Sequence, residues 1–246
     1  MKRIFGLIGY PLEHSFSPAY FDRKFLRENL HECQYKLFPL QDISDFTLLC
    51  AGNKFSGLNV TIPYKESVIP YLDDLEAEAR QIGAVNTILF REGKKIGYNT
   101  DAWGFRQSIL PVLNELEVGK PKALVLGTGG SAKAVCHVLK SLHIAFTLVS
   151  RETGKGITYE MVDDTVLETH QIIINTSPLG MAPEIRGYPP IPYEKLKKTH
   201  FLFDLIYNPK KTVFLTKGLN RHCAVKNGHD MLVYQAEKSW EIWNKK

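Results

Sequence analysis

The sequence has 246 residues, enough for one large domain or for two domains of about 100–150 residues each. Its 31 Lys and Arg outweigh its 26 Asp and Glu only mildly, and they are spread along the chain. This pattern suits small anionic ligands and argues against a nucleic-acid-binding surface. No apolar run reaches the roughly 18 residues that a membrane-spanning helix needs, and the apolar N-terminal stretch indicates a first buried strand. We therefore expect a soluble, cytoplasmic protein that does not bind membranes.

The four cysteines, Cys33, Cys50, Cys136 and Cys223, are far apart in the sequence. They show neither the density of a disulfide scaffold nor the spacing of metal ligands, and the eight histidines form no metal-spaced pair. We expect reduced thiols and no metal site.

The first 113 residues alternate between strand and helix patterns, which is typical of an α/β fold. Strands are predicted at residues 4–8, 34–39, 57–62, 84–90 and 96–99, with a hairpin turn at Gly93-Lys94 before the last. Helices are predicted at residues 18–29, 75–82 and 100–113. Ser17 is expected to cap the first helix and Pro18 to begin it.

A polar segment at residues 114–121, with one Gly and one Pro, is a plausible seam between two domains. A second series of parallel strands follows, predicted at residues 123–126, 145–149, 171–175 and 201–205. Residues 230–246 form an amphipathic helix. Leu232, Ala236, Trp240 and Trp243 lie on its apolar face, which we expect to pack in a core.

The segment from Gly57 to Lys65 carries the first candidate chemistry. Apolar and polar residues alternate along it until Pro63, which indicates a strand that stops abruptly. In α/β proteins ligands bind at the ends of strands, so Thr61 and Lys65 would offer a hydroxyl and a titratable ammonium to a cleft. The alternative is an ordinary strand end with a solvated lysine.

Gly127, Gly129 and Gly130 lie between an apolar strand and a helix. Glycines let the backbone approach a pyrophosphate, whose charge the amino end of the new helix attracts. The third glycine position of the dinucleotide-binding pattern is taken by Ala132. This arrangement predicts a dinucleotide site.

The next strand ends in Val149-Ser150-Arg151, with no acidic residue at its tip. An acid there would bind the 2′-hydroxyl of NAD, whereas an arginine accommodates the 2′-phosphate of NADP. The sequence therefore favours NADP, although Glu152 follows at once. The alternative is a surface arginine after a strand.

Other candidates have simpler explanations when taken alone. Asp101 fits a helix cap, and Ser15 and Ser17 fit a turn and a cap. Tyr193 and Lys197 match the Tyr-x-x-x-Lys of short-chain dehydrogenases, whose glycine turn lies near the N-terminus. Here that turn is at residue 127 and a proline-rich loop precedes Tyr193, so we reject this match.

Eight segments in order nevertheless resemble the shikimate dehydrogenase family, and the resemblance covers essentially the whole chain. They are Ile8-Gly-Tyr-Pro-Leu-Glu-His-Ser-Phe-Ser-Pro18, Asn59-Val-Thr-Ile-Pro-Tyr-Lys65, Gly83-Ala-Val-Asn-Thr87, Asn99-Thr-Asp101, Gly127-Thr-Gly-Gly-Ser131, Asn175-Thr-Ser-Pro-Leu-Gly-Met181, Asp204-Leu-Ile-Tyr-Asn-Pro209 and Met231-Leu-Val-Tyr-Gln235.

The resemblance implies reversible NADPH-dependent reduction of 3-dehydroshikimate to shikimate, a step of aromatic amino-acid biosynthesis. It implies a two-domain α/β fold. A substrate domain of residues 1–101 is completed by a C-terminal segment, residues 228–246, and residues 102–227 form a Rossmann domain that binds NADP. Either a monomer or a homodimer is compatible with this organisation.

By the same resemblance, Lys65 and Asp101 form the acid–base pair and Ser15 and Ser17 hold the substrate carboxylate. Four further residues contact the ring hydroxyls or the carboxylate: Thr61, Asn86, Tyr207 and Gln235. The cofactor side is lined by Gly127, Thr128, Gly129, Gly130, Ser131, Ser150, Arg151, Leu205 and Gly228.

The chain differs from the family pattern in two places. Only about 20 residues follow Arg151 before the next strand, where the family has an Asn-Arg-Thr-type segment and a helix, so one wall of the adenosine pocket is shortened. In the second place, Gly228-His-Asp-Met231 replaces the small residues that are usual in the family.

Two alternatives stay open: a quinate/shikimate dehydrogenase that uses NAD, and a non-catalytic dinucleotide-binding regulator. The missing acid after Val149 argues against the first, and retention of Lys65 and Asp101 argues against the second.

Overall fold

A computed structural model describes residues 2–13, 15–116 and 119–245. The chain divides into two compact units, one made of residues 1–100 and 235–246 and the other of residues 101–234. The segment at residues 114–121 lies within the second unit, and its residues 117 and 118 lie outside the described ranges.

The strands, in chain order, are β1 (Arg3–Gly9), β2 (Cys33–Pro39), β3 (Phe55–Val60), β4 (Asp74–Leu75), β5 (Thr87–Arg91), β6 (Lys94–Tyr98), β7 (Ala123–Leu126), β8 (Phe146–Val149), β9 (Ile172–Asn175), β10 (Phe201–Asp204) and β11 (Ala224–Lys226). The α-helices are α1 (Ser17–Arg27), α2 (Asp45–Ala51), α3 (Ala77–Ile82), α4 (Thr100–Glu115), α5 (Gly130–Ser141), α6 (Asp164–Thr169), α7 (Val213–Leu219) and α8 (His229–Trp243).

The first unit contains a six-stranded mixed sheet in the order β2-β1-β3-β5-β6-β4. Strands β1, β2 and β3 are parallel, whereas β5 is antiparallel to both β3 and β6. The carboxyl ends of β1, β2, β3 and β6 therefore share one edge of the sheet with the amino end of β5. This edge, called the first sheet edge below, gathers segments from distant parts of the sequence.

Several predicted boundaries shift for local reasons. The hairpin between β5 and β6 is confirmed, but its turn residues are Glu92 and Gly93, both at positive φ, as a tight two-residue turn requires. The predicted strand at 84–90 begins only at Thr87, because the N–H of Val85 donates to the carbonyl of Lys65. The predicted helix at 75–82 begins at Ala77, because β4 pairs with β6 before it.

The expected cap at Ser17 is wrong. Ser17 is the first residue of α1, its N-cap is Phe16, and no side chain caps the helix there. Instead the Oγ of Ser15 accepts the N–H of Ser17 at 3.3 Å.

The part of α8 from Gln235 onward is built into the core of the first unit. Trp243 is 4% exposed, and its Nε1 donates to the carbonyl of Ile88 at 3.0 Å. Its indole lies directly over Gly57, where an added Cβ would fall 2.2 Å from Nε1. Ala236 is also buried and Trp240 packs against the same cluster, which confirms three of the four residues of the predicted apolar face. Leu232, the fourth, is only half-buried and belongs to the second unit.

A charged cluster joins α8 to α1 inside the first unit. Lys24 is only 6% exposed, and its Nζ contacts Glu237 Oε2 at 2.7 Å and Glu28 Oε1 at 3.0 Å. The Tyr20 hydroxyl donates to the same Glu237 carboxylate. Because a buried ammonium is costly without partners, these contacts fix the spacing of the two helices.

The second unit contains a parallel five-stranded sheet in the order β11-β10-β9-β7-β8. Its central strands are fully buried, as a parallel sheet covered on both faces requires. All carboxyl ends lie along one edge, called the second sheet edge below. Two sheets of these types confirm the predicted α/β class with a Rossmann-type unit.

The four cysteines are unpaired thiols, and burial raises the pKa of Cys50, Cys136 and Cys223 to about 11. Those three thiols are therefore protonated at neutral pH. Among the described residues no helix is both long and apolar enough to cross a membrane.

Candidate active site

The first sheet edge brings together most of the predicted substrate residues. Ser15 and Ser17 follow β1, Thr61 and Lys65 follow β3, and Asn86 precedes β5. Backbone hydrogen bonds tie these segments together: the N–H of Thr61 donates to Ile8 at 2.9 Å and that of Tyr10 to Ile62 at 3.0 Å. The site is thus assembled by strand pairing.

Lys65 is half-buried just beyond the end of β3. Its carbonyl accepts the N–H of Val85 at 2.7 Å, which joins this loop to the segment that carries Asn86. The hydroxyl of the preceding residue, Tyr64, donates to the carbonyl of Leu40 at 2.7 Å. These bonds hold the backbone of Lys65 while its side chain extends from a fixed loop.

The amide of Asn86 has a defined orientation. Its Oδ1 accepts the backbone N–H of Thr100 at 2.6 Å, so its Nδ2 must be the group that faces Thr100 Oγ1 at 2.9 Å and Gln235 Oε1 at 3.3 Å. Gln235 consequently turns its oxygen toward Asn86. Its Nε2 can only donate a hydrogen bond.

Beneath these residues lies a buried polar network that the sequence analysis did not identify. Ser239 is 0% exposed, and its hydroxyl donates to the carbonyl of Gln235 at 2.9 Å. Its Oγ accepts from Asn59 Nδ2 at 3.0 Å and lies 2.8 Å from Thr87 Oγ1. Asn59 Oδ1 in turn accepts the hydroxyl of Tyr35 at 2.8 Å. Because buried polar groups are costly when unpaired, this network fixes α8 against the first sheet edge.

Tyr35 joins this network to the side of the sheet that carries Ser17. Burial, the larger effect, raises the pKa of Tyr35, and the Ser17 side chain lowers it. The phenol donates its proton to Asn59, whose Oδ1 can only accept.

Two of the predicted substrate and acid–base residues, Asp101 and Tyr207, belong to the second unit. Asp101 is buried in the first turn of α4, directly after Thr100 of the first unit. Tyr207 is half-buried in the loop after β10, close in sequence to Leu205.

The glycine loop follows β7 at the second sheet edge. Gly127 has a φ of +118° and its missing Cβ would lie 2.7 Å from Thr176 Oγ1, so only glycine fits. A Cβ at Gly129 would meet nothing within 4 Å, and α5 begins at the next residue, Gly130. Ala132 is buried where close helix–sheet packing needs a small residue. An open backbone at a helix amino end, next to Thr128 and Ser131, fits the pyrophosphate of a dinucleotide.

Ser150 and Arg151 follow β8 along the same edge. Ser150 is buried and its Oγ accepts the N–H of Glu152 at 2.9 Å, while Arg151 is exposed. Leu205 follows β10, and the backbone of Gly228 crosses it so closely that a Cβ would lie 2.0 Å from the Leu205 carbonyl oxygen. The predicted cofactor residues thus occupy one edge of one sheet.

Asp204 organises this edge and was missed from the sequence. Its Oδ1 accepts from Asn175 Nδ2 at 3.0 Å and from the N–H of Ile206 at 3.1 Å, and its Oδ2 accepts from Thr212 Oγ1 at 2.6 Å. Burial raises the pKa of Asp204 to about 6, although the three hydrogen bonds act in the opposite direction. The carboxylate holds the ends of β9 and β10 together.

Replacing Asp204 by Asn should change how stability depends on pH. Because the folded pKa is raised, the carboxyl group favours folding below its ordinary pKa of 3.8, and this contribution is lost as pH rises through 6. An amide can keep all three contacts if Thr212 reverses its role and accepts. Relative to wild type, the variant should gain up to about 3 kcal/mol of unfolding free energy between pH 4 and 7. Urea titrations across that range measure this difference, and parallel pH profiles would contradict it.

The rejected Tyr-x-x-x-Lys match has a structural role. The hydroxyl of Tyr193 is buried and donates to the carbonyl of Pro189 at 2.7 Å. Lys197 Nζ contacts Glu168 Oε1 at 2.9 Å on the surface.

Within the described ranges, no group of three or more His, Cys, Asp or Glu side chains could hold a metal ion.

Comparison with known proteins shows which family the chain resembles. Residues 7–88 match the family model described as the shikimate dehydrogenase substrate binding domain. The chain is 35% identical to the shikimate dehydrogenase (NADP(+)) of Methanococcus aeolicus, over 98% of this chain and 91% of the relative.

Two solved structures show the same fold over the full length. The shikimate dehydrogenase of Aquifex aeolicus matches with a TM-score of 0.88 and 32% identity, covering 99% of this chain and 92% of that one. The enzyme of Thermus thermophilus in complex with NADP(H) and shikimate matches with a TM-score of 0.84 and 29% identity, covering 98% and 93%. This chain therefore belongs to the shikimate dehydrogenase family.

Proposed function

We propose that this chain catalyses the reversible, NADP-linked reduction of 3-dehydroshikimate to shikimate in the shikimate pathway. The observation that carries this function is the first sheet edge, where hydrogen bonds tie together distant segments that bear hydroxyl, amide and ammonium side chains. The family relationship over nearly the whole chain supports it.

On the substrate side, Ser15 and Ser17 are proposed to hold the carboxylate. Thr61, Asn86, Gln235 and Tyr207 are proposed to contact ring hydroxyls or the carboxylate. The fixed orientation of Asn86 supports a role for the Gln235 Nε2 as a donor to a hydroxyl oxygen.

The proposed acid–base pair is Lys65 and Asp101. NADPH, when bound, supplies the hydride that reduces the carbonyl carbon. The carbonyl oxygen then needs a proton and nearby positive charge, and an ammonium provides both. Lys65 would give its proton to that oxygen and recover it in the reverse direction. Asp101 would orient the ammonium, and its place is supported by Thr100, the preceding residue, which Asn86 holds at the first sheet edge.

The cofactor is proposed to bind at the second sheet edge. The open glycine backbone and the amino end of α5 suit the pyrophosphate, with contributions from Gly127, Thr128, Gly129, Gly130 and Ser131. Ser150 and Arg151 are proposed to face the adenosine ribose. Leu205 and Gly228 would line the nicotinamide side.

The proposed function is tested by assaying the purified protein with shikimate or quinate, each with NADP or NAD. We expect the highest kcat/KM with shikimate and NADP. Preference for quinate with NAD would favour the quinate/shikimate dehydrogenase alternative. Cofactor binding without turnover of either substrate would favour the non-catalytic regulator. The cytoplasmic location and the monomer or homodimer state stay predictions.

Ser17→Ala should raise KM for shikimate at least several-fold, because a hydroxyl contact to a charged group contributes about 1.5–3 kcal/mol. The KM for NADP should be unchanged, since its proposed site lies in the other unit. Steady-state kinetics with each substrate varied in turn measure both values. Ser67→Ala, at an exposed position of the first unit, is the matched control. A normal KM for shikimate would remove Ser17 from the site.

A further inference from the structure

The loop after β8 replaces the helix that the family pattern predicts, and it closes against the free edge of the second sheet. Ile157 pairs with Val149 as a parallel bridge next to β8, the edge strand. The N–H of Ser150 donates to Ile157 at 2.9 Å and that of Ile157 to Leu148 at 3.0 Å. Gly156 makes this return possible, because a Cβ there would lie 2.3 Å from the Leu148 carbonyl oxygen. Residues 150–156 therefore form a short loop with both ends anchored.

This loop carries three exposed charged residues, Arg151, Glu152 and Lys155. Glu152 Oε2 lies 2.8 Å from Lys155 Nζ, and the Ser150 Oγ accepts the N–H of Glu152, which fixes the backbone between the charges. The ammonium of Lys155 lowers the pKa of Glu152, with a smaller contribution from Arg151. A carboxylate thus shares the loop with two cations.

The position of the loop in the fold indicates which part of the cofactor these charges would contact. In a Rossmann-type unit, the residues just beyond the second strand of the dinucleotide fold contact the adenosine ribose. Cations there bind the 2′-phosphate of NADP, whereas a carboxylate accepts a hydrogen bond from the 2′-hydroxyl of NAD. This loop holds both kinds of group within five residues, Arg151 to Lys155.

We propose that Glu152 is a cofactor-specificity residue that weakens NADP binding and supports NAD binding, so that this chain binds both cofactors with a reduced preference for NADP. The proposal rests on the proposed function, because it assumes that the second sheet edge binds the dinucleotide. It concerns Glu152 alone and leaves the roles of Lys65 and the substrate residues untouched.

The expected size of the effect on NADP affinity follows from the solvent exposure of the Glu152–Lys155 ion pair. Glu152 and Lys155 are 67% and 57% exposed, so their ion pair is weak and a phosphate dianion can take Lys155 from it. The displaced carboxylate remains on the same anchored loop and repels the phosphate. With water screening, repulsion between unit charges a few ångströms apart corresponds to about a 3- to 10-fold loss of affinity.

The test measures direct binding of NADP⁺ and of NAD⁺ by isothermal titration calorimetry, without substrate. Glu152→Gln should tighten NADP⁺ binding about 3- to 10-fold and weaken NAD⁺ binding. Glu160→Gln is the matched control, because Glu160 is an exposed glutamate eight residues further on, beyond the anchored loop. It removes the same charge and should leave the NADP⁺/NAD⁺ affinity ratio at its wild-type value.

Equal changes for both cofactors in Glu152→Gln, or a ratio equal to that of Glu160→Gln, would overturn the role of Glu152. If wild type binds both cofactors and oxidises shikimate, that result leaves the proposed function intact. If wild type binds neither cofactor, both the proposed function and this inference fail. Cofactor binding and shikimate oxidation by wild type therefore distinguish a failure of the inference alone from a failure of the proposed function.

Discussion

Lys65→Ala is expected to lower kcat at least about 100-fold while leaving the Kd for NADPH nearly unchanged. The loss follows from removing the proton donor of the carbonyl reduction, a group that contributes roughly 10²–10⁴-fold when it is positioned. The cofactor affinity should persist because its proposed residues belong to the other unit. Single-turnover and steady-state rates, together with a fluorescence titration of NADPH, measure the two quantities.

Controls for this variant separate catalysis from folding. Lys54→Ala removes an exposed lysine of the same unit and should keep full activity. Asp101→Asn should also be slow. The double variant with Lys65→Ala should be little worse than the slower single variant, because groups that act as one unit are not additive. If Lys65→Ala retained more than about a tenth of the wild-type kcat, Lys65 would not be the general acid.

Trp243→Ala should destabilise the first unit by about 3–5 kcal/mol, as is typical when a buried Trp is truncated to Ala. The indole fills the space over Gly57 and contacts the rings of Phe5 and Phe21 at centroid distances of 4.9 and 5.6 Å. Its removal also leaves the Ile88 carbonyl without the indole donor. Urea unfolding followed by far-UV circular dichroism measures the loss.

Trp243→Phe divides the effect into its two parts. It keeps an aromatic ring in the cluster and loses the hydrogen bond, so its cost should be about 1–2 kcal/mol. Leu26→Ala, at a position 73% exposed, is expected to be neutral. If the Trp243→Ala protein had the same free energy of unfolding as wild type, the end of α8 would not contribute to this core.

The parts of the fold that the sequence predicts are those with strong periodicity or strong turn chemistry. Strands β1, β7 and β9 are mostly apolar, and the turn between β5 and β6, predicted at Gly93-Lys94, lies one residue earlier at Glu92-Gly93. The glycine loop could be placed because its pattern depends on local backbone geometry. Strand β4 could not, because a two-residue strand has no periodicity and exists only through its pairing with β6.

The candidate site also contains residues that the sequence predicts and residues that it does not. Lys65 and Asn86 carry polar chemistry in recognisable segments, and their positions along one edge follow from the strand order. Ser239 is one turn after Gln235 on the buried side of α8, yet a serine in a terminal helix has no signal of its own. Its partners Asn59 and Thr87 lie more than 150 residues away. Only the assembled sheet shows that these three residues form one network.

The position of α8 has a consequence for the order of folding during synthesis. Residues 101–234 form a continuous unit, whereas the first unit needs Trp243 over Gly57 to close its core. At about 5–20 residues per second, the ribosome reaches residue 243 roughly 7–30 s after residue 100. During that interval the surface of β3 around Gly57 is uncovered, while residues 101–234 of the second unit are being synthesised. The core of the first unit therefore closes only after the whole second unit has been made, and the buried Ser239 network is completed last.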